Sequence, residues 1–212
     1  MKKVKFIVFI CLFILLPLAY FNGFIRISDL TSEQESIAKK YGGVYVFDEK
    51  LEKEIDKREE ERDKYLDDFF KNNNRDFDLN DQAIMNEKLP RVLSNGKKYY
   101  VTTRDYGNDF KKKAEVPEIY LNKIVEFIGE DKFYKWQPFI SMSYFYLDDN
   151  KNIIPIKTGV NYYKGYKIFG LYGDEASGIR LYKETSINIS GDNYFYFIDS
   201  KFQKISSKSK DK

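Results

Sequence analysis

The stretch DFDLNDQAIMNE places Asp76, Asp78 and Asn80 at positions 1, 3 and 5 of a calcium-loop template, with Glu87 at position 12. A bidentate carboxylate at that last position closes such a site. The fit is partial, because Asp81 stands where the sharp turn wants Gly and Ala83 where a large apolar residue belongs. The competing reading is that Asn80 or Asp81 caps the next helix. Asp148, Asn150 and Asn152 repeat the spacing, but Ile153 and Gly159 fall at positions 6 and 12, and this stretch reads as a hairpin turn.

Paired carboxylates are the second candidate chemistry. Asp105 and Asp109 in RDYGND, and Asp174 and Glu175 in GDEASG, are the acidic residues expected on loops between regular elements. A glycoside hydrolase needs two carboxyls about 5–10 Å apart whose environments split their pKa values. Other routes are closed. The chain has no histidine, and its one cysteine is Cys11. Ser-His-Asp and Cys-His nucleophiles, histidine acid–base catalysis and the usual zinc or copper sites are thereby excluded. The glycines at 170, 173 and 178 lack phosphate-loop spacing and join strand to strand. No cofactor is expected, and no metal beyond the calcium alternative.

The elements that position these residues follow from caps and periods. Ser32 and Glu35 have capping-box spacing, with Gly42 and Gly43 as the stop. A brief strand is expected over 44–47. Asp48 then caps a highly charged helix whose apolar positions are Leu51 and Ile55, then Tyr65, Leu66, Phe69 and Phe70. Its ends can dock, and its middle is expected to be solvated. Asn72, Asn73 and Asn74 end it. A short helix over 79–89 stops at Pro90, and Asn95-Gly96 signals a hairpin. Pro117 opens an amphipathic helix with Tyr120, Leu121, Ile124, Val125, Phe127 and Ile128 on one face and Gly129 as its stop.

From Pro138 the period becomes two. Ile154, Ile156, Thr158, Val160 and Tyr162 alternate with Pro155, Lys157, Gly159 and Asn161, so one face is buried and the other wet. Similar runs separated by turn-rich segments suggest an antiparallel meander. The fold class is therefore α+β in one globular domain over 32–205, mainly helical over 32–90 and mainly β over 91–205. Residues 206–212 form a disordered tail. The eighteen Phe and eighteen Tyr suit half-buried strands, or a sticky binding surface.

What precedes the domain sets its address. Residues 6–21 are apolar throughout, and the run from Phe6 to Ile25 has the length of a membrane-crossing helix, about 20 residues. Pro17 breaks one backbone hydrogen bond in it. Small residues suited to signal cleavage are poorly placed, so a retained anchor over 6–25 is expected, with secretion after cleavage as the alternative. Lys2, Lys3 and Lys5 in the cytoplasmic segment 1–5 outweigh Arg26, which heads the juxtamembrane linker 26–31. The N-terminus then stays inside, and the domain lies outside the cytoplasmic membrane, in the periplasmic or extracytoplasmic space. Setting those four basic residues aside leaves 32 basic against 33 acidic residues, a net of −1, so the overall +3 gives no reason to expect nucleic acid as a partner.

An exported chain with little catalytic equipment is expected to bind. The partners are the lipid bilayer, through Phe6 to Ile25, and a protein or cell-envelope component. An inhibitor or immunity-type protein and an envelope scaffold both fit, and a carboxylate-dependent hydrolase of an envelope glycan is the alternative.

Overall fold

Side-chain caps from Asp48, Asp78 and Thr102 mark where three helices begin in the computed structural model, which describes residues 8–10, 13–14, 26–28, 32–173, 176 and 178–205. Helix α1 (Ser32–Tyr41) leads through Gly42 into strand β2 (Gly43–Val46), and β1 (Arg26–Ser28) precedes both. Asp48 accepts a hydrogen bond from the Leu51 amide at 2.9 Å and starts α2 (Glu49–Asn72), with Asn73 as its C-cap. Helix α3 spans Leu79–Lys88, and α5 spans Glu118–Ile128 between Pro117 and Gly129. These boundaries agree closely with the caps and breakers of the sequence.

Two helices depart from it. Helix α4 (Thr103–Phe110), capped by Thr102, and α6 (Glu130–Trp136) lie in the part expected to be mainly β. Strands β3 (Tyr99–Tyr100) and β4 (Phe139–Met142) flank this helical stretch. Asp105, Gly107 and Asn108 inside α4 are poor helix formers, which hid it from a propensity reading.

The remaining strands are β5 (Phe145–Leu147), β6 (Ile153–Pro155), β7 (Lys157–Asn161), β8 (Tyr163–Tyr172), β9 (Arg180–Asn188), β10 (Asn193–Ile198) and β11 (Lys201–Ile205). They form three sheets instead of one meander: β11-β10-β2-β7-β4, β3-β5-β6 and β1-β8-β9. Among the described residues all strand pairings are antiparallel except β2 with β10, which run parallel, Gly43 opposite Asn193 and Val46 opposite Tyr196. A strand from the helical half thus sits at the centre of the largest sheet.

Close backbone approach makes that insertion possible. Gly43 has φ +143°, and a Cβ there would lie 2.2 Å from the Asn193 carbonyl oxygen. The buried Asn193 amide donates to the carbonyls of Lys39 at 2.8 Å and Gly42 at 2.7 Å, tying the end of α1 to β10. The core beneath is aromatic: Tyr45 packs against Phe195 at 4.8 Å and Phe202 at 4.9 Å between ring centres, with Ile124, Val125 and Ile128 of α5 alongside. Alternation holds over 156–162, with Ile156, Thr158, Val160 and Tyr162 buried, but not at its start, where Ile154 is half-buried and Pro155, expected on the wet face, is buried because the chain passes there from β6 to β7 of another sheet.

The charged helix is a correction. Ile55 docks as expected, at 0% exposed, but the charged Glu52 at 1% and Arg62 at 4% are buried too, while Lys57, Glu60, Glu61, Asp63 and Lys64 stay exposed. With Glu59 the buried three recur at helical spacing, so one stripe of α2 faces the protein. Charged residues in that stripe masked it from any apolar count.

Residues 6–25, expected as the membrane anchor, lie almost wholly outside the described residues. Among the described residues no helix is long and apolar enough to cross a membrane. The tail 206–212 also lies outside them.

Candidate functional site

Asp105 and Asp109 stand on a helix, not a loop, at i,i+4 spacing on α4. The Thr102 hydroxyl accepts from the Asp105 amide at 3.2 Å and fixes the first turn. Both carboxylates line a cleft of about 360 Å³ together with Arg91, Lys98, Tyr100 and Asn86. The structure therefore brings this sequence-predicted pair together. Asp174 and Glu175, the other pair, lie outside the described residues.

Each carboxylate in the cleft meets a cation. Lys98 Nζ donates to Asp109 at 2.5 Å and the Tyr100 hydroxyl donates to it at 3.1 Å. The Lys98 ammonium holds the Asp109 carboxyl below the usual carboxylate range, with Tyr100 assisting. Burial and the Asp109 charge push the Tyr100 phenol up to about 12. Arg91 lies 3.5 Å from Asp105. Lowering its pKa unsuits Asp109 for the general acid that glycoside hydrolysis requires.

Arg91 joins the cleft to the buried stripe of α2. Its guanidinium forks onto Glu59 at 2.9 and 2.7 Å, and the Tyr99 hydroxyl donates to the same carboxylate at 2.6 Å. Burial works to raise the Glu59 pKa, but the Arg91 fork and Tyr99 outweigh it and hold the group below its ordinary value. Arg62 donates to the Leu89 carbonyl and to the Asn86 side chain at 2.7 Å. Further along the stripe, Lys157 lies 3.6 Å from Glu52 and 3.5 Å from Asp56, with its ammonium 3.7 Å from the Tyr144 ring centre. The Tyr196 hydroxyl donates to Glu52 at 3.2 Å. Sequence reasoning missed these partners. The signal was the spacing of positions 52, 55, 59 and 62, legible only if charged residues count as stripe members.

The calcium-template residues serve the next helix. Asp78 is the N-cap of α3, accepting from the Asn80 and Asp81 amides, while Asp81 accepts from the Asp78 amide, a reciprocal capping box. Arg75 forks onto Asp81 at 2.6 and 2.8 Å and draws its pKa down to about 2. Asn80 and Glu87 lie seven residues apart along a helix, about 10 Å of rise, instead of around a loop. Among the described residues no cluster of three metal-ligating side chains occurs. Asp148 closes the β5–β6 hairpin by accepting from the Asn150 and Asn152 amides.

The tyrosines divide. Among the described residues seven are buried, including Tyr45, Tyr99 and Tyr162, so much of the aromatic content builds the interior. Exposed apolar side chains also occur on the β8–β9 hairpin. Strand β9 is exposed at every residue but Thr185, on both faces. It is also the last strand of its sheet. Leu181, Tyr182 and Ile187 are exposed along it, and Ile179 just before it.

Compared with known proteins, the chain matches no family model, no curated sequence and no solved structure.

Proposed function

We propose that this chain is a membrane-tethered, extracytoplasmic α+β domain with a non-catalytic role, binding a protein partner that adds an extended segment to the outer edge of β9. The observation that carries this reading is β9 itself. It is nine residues long, exposed on both faces and at the edge of its sheet among the described residues. An open edge presents a row of backbone donors and acceptors to another extended chain. Natural edges are usually shortened, covered or bulged away. Strand addition to such an edge is a recurrent mode of recognition, in which the ladder supplies affinity and alternate side chains supply specificity. Here Leu181, Lys183, Thr185 and Ile187 alternate with Arg180, Tyr182, Glu184 and Ser186. The apolar run over 6–25 supports the tether. An inhibitor or immunity-type protein and an envelope scaffold are the two roles proposed for it.

The test is site-specific photo-crosslinking of the full chain in its native membranes, with the probe at Ser186 and, as a control, at the exposed Lys112. A single protein adduct at 186, absent at 112 and lost when Thr185→Pro interrupts the strand, is the expected outcome. Identical patterns at both positions refute the reading. Recovery of the chain in the soluble fraction refutes the tether.

A further inference from the structure

We infer that the cleft between α3, β3 and α4 binds a neutral, hydroxyl-rich ligand, a saccharide. The cleft is built from other elements than β9, so this site and the strand edge stand or fall separately.

Convergence of polar groups is the first observation. Gln82 and Asn86 come from α3, and Arg91 and Lys98 from the two arms of the Asn95-Gly96 hairpin. Asp105, Asn108 and Asp109 come from one face of α4, at i, i+3 and i+4. The recess they enclose, about 360 Å³, falls within the range of about 300–1,000 Å³ usual for small-molecule sites.

Unused hydrogen-bonding capacity is the second observation. Arg91 commits Nε and Nη2 to Glu59, which leaves Nη1 at 3.5 Å from Asp105. That separation is too long for a good hydrogen bond. A hydroxyl beside both groups accepts from Nη1 and donates to the carboxylate at a single oxygen. An ammonium ion cannot accept there, an ionised phosphate or carboxylate cannot donate, and a peptide amide divides the two tasks between different atoms. Among the described residues the Gln82 and Asn108 side chains have no hydrogen-bond partner, and Asn86, whose oxygen accepts from Arg62, keeps its amide donors. A carboxamide offers donor and acceptor side by side, which suits further hydroxyls. Several such positions in one recess call for several hydroxyls on one molecule, and a sugar ring carries them.

Charge balance is the third observation. Two cations, Arg91 and Lys98, stand with two carboxylates, Asp105 and Asp109, so the lining has no net charge to draw in an ion. Lys98 and the Tyr100 hydroxyl already occupy Asp109, which leaves Asp105 as the freer acceptor. Pro90 and Val92, both exposed, supply apolar surface for the C–H face of a sugar.

The test is saturation-transfer NMR on the full chain in a non-glycosidic detergent. Maltotriose and chitotriose are the neutral probes and trigalacturonate the anionic one. Transfer to at least one neutral trisaccharide, and none to trigalacturonate, is expected. Asn108→Ala and Asp105→Leu should each weaken binding about tenfold, since each removes a hydrogen-bond partner of the ligand. Substituting the exposed Lys112 by Ala should leave it unchanged. Asn108 is exposed and makes no side-chain hydrogen bond among the described residues, so its variant keeps the wild-type thermal melt and binding is read on folded protein. No transfer to either neutral sugar, stronger transfer to trigalacturonate, or binding that survives both substitutions overturns the site.

Discussion

Replacing Glu59 by Gln tests whether the buried stripe of α2 holds this domain together. The substitution keeps the shape and removes the charge that Arg91 grips through two hydrogen bonds and that Tyr99 meets through a third. Breaking a fully buried pair by removing one partner costs about 3–5 kcal/mol. The Glu59 and Arg91 side chains are 18% and 30% exposed, so solvent screens part of this. Arg91 also has Asp105 at 3.5 Å to fall back on. Arg62 keeps the Leu89 carbonyl and Asn86. A loss of about 2 kcal/mol follows. The assay is urea unfolding of the full chain in mild detergent, followed by circular dichroism, with the slope m unchanged. Because the folded pKa of Glu59 is lowered, its contribution is present above the unfolded value, about 4.3, and is lost as pH falls through the folded value. Glu59→Gln should therefore narrow the gap to wild type in acid. A loss below about 0.5 kcal/mol, within the range of an ordinary surface change, with an unaltered acid limb, would refute the reasoning.

Gly43→Ala should destabilise the domain by at least about 2 kcal/mol, since it forces alanine to φ +143° and drives a methyl onto the Asn193 carbonyl. A thermal melt unchanged from wild type would show that the parallel β2–β10 pairing is looser than described. In alkali, Tyr100 should ionise near pH 12. Its folded pKa is raised, so the stability linked to it is full below about pH 10 and lost as pH rises through about 12. Ultraviolet titration of Tyr100→Phe should remove one late phenol; removal of a phenol ionising near 10 would contradict the Asp109 contact.

The cleft shows how a site can be half legible. Asp105 and Asp109 stood out as a carboxylate pair, and the structure does put them in one recess. Their cations were not legible: Arg91 reaches Asp105 from 14 positions away, and Lys98 reaches Asp109 from 11. Those partners make each carboxylate one half of an ion pair. The calcium template failed for a local reason, since Asp78 and Asp81 use their oxygens on amides at the start of α3.

The amino-acid sequence by itself determined whatever is settled within a few residues. Asp48, Pro117 and Gly129 set helix ends, Asn95-Gly96 and Asp148 turned the chain, and the alternation over 156–162 fixed which side chains of that segment are buried. Caps and periods act over one or two turns, so they can be read locally. Only the tertiary structure decided that β2 enters the main sheet parallel to β10, that α2 buries Glu52 and Arg62, and that β9 ends its sheet among the described residues. Each depends on groups distant in the chain: Tyr196 meets Glu52 across 144 positions, Asn193 meets Lys39 across 154, and Arg91 meets Glu59 across 32. Whether a charged stripe is solvated or buried turns on whether counter-charges arrive from such distances, because desolvating them is favourable only when they are paired.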